Sequence, residues 1–105
     1  MNLLFVCRYN EMRSSTAEAI YAAEGYSVKS AGTSKNATVT LSNELVEWAD
    51  IIFVMEEKHK VILTNHFFDS ATDKKILVLD IPDNYYFMEA GLVKLIKDRV
   101  KPYLD

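Results

Sequence analysis

One cysteine, three glycines, two prolines and a single tryptophan are spread over 105 residues, and each scarcity closes off a class of protein. Cys7 alone cannot form an internal disulfide or build a multi-cysteine zinc site, and a lone thiol fits a reducing compartment. With so few glycines there is no collagen-like repeat, and no glycine-rich phosphate loop follows a strand. No apolar run approaches the ~20 residues that span a bilayer. The N-terminus enters Leu3-Leu4-Phe5-Val6 with neither a basic lead nor a small-residue cleavage site. These features predict a cytoplasmic protein with no membrane partner. His59 and His66 have no Cys, Asp or second His at metal-ligating spacing, so no metal is expected. Excess positive charge is lacking too: 12 basic against 15 acidic residues leave a net −3. Without a global positive field, no nucleic-acid partner is expected, and any anion site must be local.

What is present is a hydrophobic half, 50% of residues against 26% charged, enough to build a core rather than a disordered chain. No repeat, low-complexity tract or Pro/Gly/Ser-rich linker divides it, so residues 1–105 read as one domain. Three continuous apolar runs, Leu3–Val6, Ile51–Met55 and Ile76–Leu79, have the character of strands buried on both faces. A weaker strand candidate, Tyr26–Ala31, lies between Gly25 and Gly32 and suits a sheet edge. Helical spacing covers Ser15–Glu24, Ser42–Ala49, about Glu57–Phe67 and about Glu89–Leu104. Glu56-Glu57-Lys58-His59-Lys60 reads as a solvated helix start, which places His59 at the surface. Strands alternating with helices predict an α/β fold with a parallel sheet covered on both faces. In such folds ligands bind beyond the carboxyl ends of the strands, where strand order reverses.

Chemistry is therefore expected after Val6, where Cys7-Arg8-Tyr9-Asn10-Glu11-Met12-Arg13-Ser14 leads into a helix. A loop entering a helix N-terminus turns successive N–H groups into a concavity, and the helix dipole adds partial positive charge, so an oxyanion is favoured there. Arg13 can grip two anion oxygens as a planar fork. The same field favours the thiolate form of Cys7, a strong nucleophile. The bland alternative is an inert cysteine at a strand end and a surface arginine on a helix.

The stretch Val6–Glu18, V-C-R-Y-N-E-M-R-S-S-T-A-E, resembles the active-site loop of the low-molecular-weight protein tyrosine phosphatases. Ser30-Ala31-Gly32-Thr33 resembles the S-A-G-T segment after that family's second strand, and Ala49–Met55 resembles its third strand. The resemblance implies a three-layer α/β/α domain with a four-stranded parallel sheet in the flavodoxin-like order 2-1-3-4. It makes Cys7 the nucleophile of a phosphocysteine mechanism without metal or cofactor. Arg13 becomes the phosphate clamp, and Ser14 a hydrogen-bond donor to sulfur. The loop residues Arg8, Tyr9, Asn10, Glu11 and Met12 surround the phosphate. Asn10, for which a left-handed backbone is chemically reasonable, would hold the loop in shape through a network reaching Ser30, a structural support.

The general acid implied is Asp80 or Asp83 in Leu79-Asp80-Ile81-Pro82-Asp83-Asn84-Tyr85-Tyr86. Asp80 is preferred for its place at a strand tip, whereas Asp83 has the family-like D-x-Y-Y context. Tyr85 and Tyr86 are either walls for a substrate ring or ordinary loop aromatics. The sequence departs from the family at Tyr9, usually glycine, and at Met12, where many members carry a second cysteine. It departs also at Glu11, a carboxylate in an anion loop, and in the short segment between Gly32 and Ser42. The expected substrate is a phosphotyrosine protein or a small aryl phosphate. The alternatives are a phosphotyrosine-binding module or a cysteine phosphocarrier. Arsenate reduction is excluded because it needs resolving cysteines.

Overall fold

The computed structural model describes residues 1–104. Four strands, β1 (Asn2–Cys7), β2 (Ser27–Gly32), β3 (Ile51–Val54) and β4 (Lys75–Val78), form one parallel sheet in the order β2-β1-β3-β4. The order is the expected one. Helices α1 (Arg13–Ala23), α2 (Asn43–Trp48), α3 (Glu57–His66), α4 (Phe68–Ala71) and α5 (Ala90–Leu104) complete the chain. Only α4, a single turn, has no counterpart in the sequence reading.

The central strands are apolar at every position because both their faces are covered. Side chains alternate across a strand. Leu3, Phe5 and Cys7 therefore join Ile51, Phe53 and Met55 beneath α1 and α5, while Leu4, Val6, Ile52 and Val54 join Val46 and Leu63 beneath α2 and α3. Phe5 stacks on Phe53 at 5.0 Å and on Tyr21 of α1 at 5.6 Å, which fixes α1 over β1. Gly25, with φ 92°, ends α1: the Tyr26 N–H donates to the Tyr21 carbonyl and the Gly25 N–H to that of Ala22, the paired bonds that let a left-handed glycine close a helix. Ser42 opens α2 by accepting from the Leu45 N–H.

With β1 between β2 and β3, the strand order reverses at β1, and its carboxyl end opens on the crevice that such sheets offer to ligands. Cys7 is the last residue of β1, paired with Gly32 of β2. Among the described residues no helix is long and apolar enough to cross a membrane.

Candidate active site

The loop between β1 and α1 is held from outside by the connection that follows β2. Thr33, Ser34 and Thr38 donate backbone N–H groups to the carbonyls of Cys7, Arg8 and Tyr9 at 2.9, 2.9 and 3.1 Å. Gly32 permits this approach. A Cβ there would lie 2.5 Å from the Arg8 carbonyl oxygen and 2.5 Å from the Ala37 Cβ, so any side chain would lever the loop off its support.

Inside the loop, Asn10 takes a left-handed backbone, φ 57°, which asparagine tolerates better than most residues. The turn brings its N–H to 3.2 Å from the Cys7 Sγ. Its side-chain amide donates to the hydroxyls of Ser14 and Ser30, both at 2.8 Å, and the Ser30 hydroxyl donates in turn to Glu18. The Ser14 oxygen accepts from Asn10, and its own proton has two acceptors in range, the Cys7 Sγ at 3.0 Å and the Ala31 carbonyl at 3.5 Å, of which the sulfur is the nearer. Two donors thus converge on one sulfur, the complement that a charged sulfur nucleophile needs.

Arg13, 2% exposed, crosses the floor of the cleft. One terminal nitrogen of its guanidinium donates to Glu56 at 2.5 Å and to the Ile81 carbonyl at 2.7 Å, and Nε stands 3.8 Å from Asp83. Anchoring one nitrogen leaves the rest of the planar fork for a ligand. Glu56 was not singled out from the sequence, though a signal existed: it lies just beyond the carboxyl end of β3, on the crevice side of the sheet. Burial pushes its carboxyl upward, but the hydrogen bond and charge of Arg13, helped by Lys58 and His59, outweigh this and hold it below the usual carboxylate range.

Cys7, Arg13 and Asp83, together with Arg8, Tyr9, Glu11 and Met12, enclose a cleft of about 180 Å³. The sequence-predicted residues fall into two groups around it. Asp83 is on the wall, with its side chain 58% exposed. Asp80 is exposed and not part of the lining; it sits at a left-handed turn, φ 55°, and its carbonyl accepts from Arg99. Tyr85 is half-buried against the α5 side of the core, and Tyr86 is 76% exposed. Neither lines the cleft; the aromatic wall is Tyr9, with the Arg8 guanidinium 4.9 Å above its ring. Glu11 is exposed at the mouth. Among the described residues no cluster of His, Cys, Asp and Glu side chains gathers that could hold a metal ion.

His59 corrects the surface reading. It is 1% exposed, and its Nδ1 accepts the Glu56 N–H at 3.1 Å while the Glu56 side chain accepts from the His59 N–H. This is a capping box with histidine in the place usually held by Glu or Gln, and it turns the fourth residue of an otherwise solvated charge run inward. Burial, reinforced by the Arg13 charge, pushes the imidazole down to about 4 from its ordinary 6.5.

An unfolded chain therefore takes up a proton as pH falls from 6.5 towards 4, while the folded chain does not. The stability contribution is complete above 6.5 and is lost as pH falls through 4, amounting to about 3 kcal/mol. Urea unfolding at pH 7 and pH 4.5 is expected to show most of that loss in the native protein. The loss should be much smaller in His59→Gln, whose amide can keep the capping bond but does not titrate. Equal slopes in the two proteins would contradict a buried neutral imidazole.

No protein-family model matches the sequence, and no curated relative is found for it. Solved structures do match along its whole length. The YwlE arginine phosphatase from Geobacillus stearothermophilus is 24% identical over 98% of this chain and 92% of its own, with a TM-score of 0.76. Wzb of Vibrio vulnificus, bound to benzylphosphonate, is 23% identical over 97% and 95%, with a TM-score of 0.75. The tyrosine phosphatase Wzb from Escherichia coli K30, in complex with phosphate, is 17% identical over 97% and 94%, with a TM-score of 0.79. The fold of this chain is that of the low-molecular-weight protein tyrosine phosphatases.

Proposed function

We propose that this chain is a cysteine-dependent phosphomonoesterase, acting on aryl phosphate and above all on phosphotyrosine through a phosphocysteine on Cys7. The observation that carries the proposal is the convergence of the Asn10 N–H and the Ser14 hydroxyl on the Cys7 Sγ, beside the buried guanidinium of Arg13. The fold it shares with tyrosine and arginine phosphatases supports the same reading.

In the first displacement the Cys7 sulfur attacks phosphorus as the P–O bond to the leaving group breaks, and the Asp83 carboxylic acid protonates the departing oxygen. In the second, water attacks phosphorus, Asp83 takes the proton from that water, and the S–P bond breaks to release phosphate. Loop N–H groups and Arg13 hold the equatorial oxygens throughout, where stabilisation of charge dominates phosphoryl transfer. Asp83 takes the acid role ahead of Asp80 because it alone of the two lines the cleft.

Two carboxylates on the cleft wall, Glu11 and Asp83, favour a second reading in which the leaving group is a cationic guanidine, as in phosphoarginine. The likeness to an arginine phosphatase supports it.

Acid-quenching the protein during reaction with p-nitrophenyl phosphate tests the chemistry. Many nitrophenols released per protein, with a transient phosphoryl group on Cys7, is the expected result. A single release with stable phosphocysteine would make the protein a phosphocarrier, and binding without release would make it a phosphate-binding module. Phosphotyrosine and phosphoarginine peptides, compared by kcat/KM, then separate the two substrates.

A further inference from the structure

A second cleft adjoins the first. It encloses about 290 Å³, and its wall includes Arg8, Thr33, Ser34, Lys58 and His59. Arg8 lines both clefts, so they share a side chain and lie side by side along the mouth of the loop. Their charge differs. The first sets Arg8 and Arg13 against Glu11 and Asp83, whereas the charged side chains on the wall of the second, Arg8 and Lys58, are both cationic. In a chain of net charge −3, a cleft walled by two cations and two hydroxyl side chains is a local reversal of the field.

A second observation points to a ligand. His59 forms part of this wall while being 1% exposed, and its Nε2 has no hydrogen-bond partner among the described residues. Since Nδ1 accepts the Glu56 N–H, the neutral ring carries its proton on Nε2. A buried donor left unpaired costs free energy; this one lies within the wall of a cleft whose surface carries the Arg8 and Lys58 cations and the Thr33 and Ser34 hydroxyls. Two carboxylates already act on these groups: Asp83, whose charge reaches His59, and Glu56, 3.8 Å from the Lys58 Nζ. Glu56 already holds Arg13 at 2.5 Å.

We propose that this second cleft is a specificity subsite that binds a carboxylate side chain flanking the phosphorylated residue of a peptide substrate. Consecutive Cα atoms lie about 3.8 Å apart, so a peptide with its phosphoryl group over Cys7 carries its neighbouring side chain past Arg8 into the adjoining cleft. The short connection after Gly32 contributes Thr33 and Ser34 to that wall, and its backbone bonds to the loop carbonyls of Cys7 and Arg8 keep the two clefts in fixed relation. This subsite rests on the phosphatase reading for its substrate but not for its binding chemistry.

The test is equilibrium binding of two peptides that carry a non-hydrolysable phosphonate analogue of phosphotyrosine, flanked on both sides either by Glu or by Gln, measured by fluorescence polarisation. The native protein is expected to bind the Glu peptide about tenfold more tightly, with the ratio shrinking as salt rises. In Lys58→Gln the ratio should fall towards one, and in Arg8→Gln as well. Equal affinities in the native protein, or a preference that survives both substitutions, would overturn the subsite. Because the readout is binding, a protein that prefers the Glu peptide yet fails to hydrolyse aryl phosphate would keep the subsite and lose the phosphatase. One that hydrolyses aryl phosphate with no preference between peptides would do the reverse. A protein that binds neither peptide overturns the subsite together with the phosphotyrosine reading.

Discussion

Cys7→Ser is expected to lower the hydrolysis of p-nitrophenyl phosphate by about four orders of magnitude or more while leaving the fold intact. The substitution exchanges sulfur for a smaller oxygen at a 3% exposed position, a change the surrounding core absorbs at a cost of about 1 kcal/mol. What it removes is the nucleophile. An alcohol remains protonated where a thiol can ionise, and its oxygen is the poorer leaving group in the second displacement. The donors that face the Cys7 Sγ, the Asn10 N–H and the Ser14 hydroxyl, can still bond an oxygen. Arg13 is untouched, so inorganic phosphate should still bind. Urea midpoints and phosphate protection separate this outcome from misfolding. Turnover at the native rate in Cys7→Ser would end the phosphocysteine mechanism.

The parts legible in the sequence were those that burial writes into composition. Leu3–Val6 and Ile51–Met55 are continuous apolar runs because β1 and β3 are central and covered on both faces; Ile76–Leu79, read as equally buried, overlaps β4, which is an edge strand with Lys75 exposed and Ile76 to Val78 only partly buried. The position of Cys7 followed from the crevice rule once β1 was placed. Other parts depend on geometry that a pattern does not record. Glu56-Glu57-Lys58-His59-Lys60 has the charge of a solvated face, yet a capping box buries its fourth residue and its first residue reaches across the sheet to Arg13. α4 is four residues long, too short for a 3.6-residue period to register. The choice between two aspartates separated by Ile81 and Pro82 turns on a single left-handed residue.

That residue is Asp80 itself, and it sets the sharpest contrast between substitutions. The chain leaves β4 through Leu79, reverses at Asp80 with φ 55°, buries Ile81 beside the Arg13 guanidinium and only then presents Asp83 to the cleft. Asp83→Asn is expected to reduce kcat on phenyl phosphate or phosphotyrosine by about 10²- to 10⁴-fold, the usual range for a lost general acid. An amide of the same size cannot donate a proton to the phenolate. On p-nitrophenyl phosphate the loss should be much smaller, because nitrophenolate is stable enough to depart without that proton. Asp80→Asn should be close to native on both substrates: asparagine suits a left-handed backbone at least as well as aspartate, and the Arg99 bonds reach the carbonyls of Leu79 and Asp80, not the side chain. The dependence on leaving group distinguishes a proton donor from a residue that only shapes the cleft, since a misshapen cleft slows both esters alike. If the leaving-group effect follows Asp80→Asn instead, the acid is Asp80, and the loop from Ile81 to Asp83 must rearrange when substrate binds.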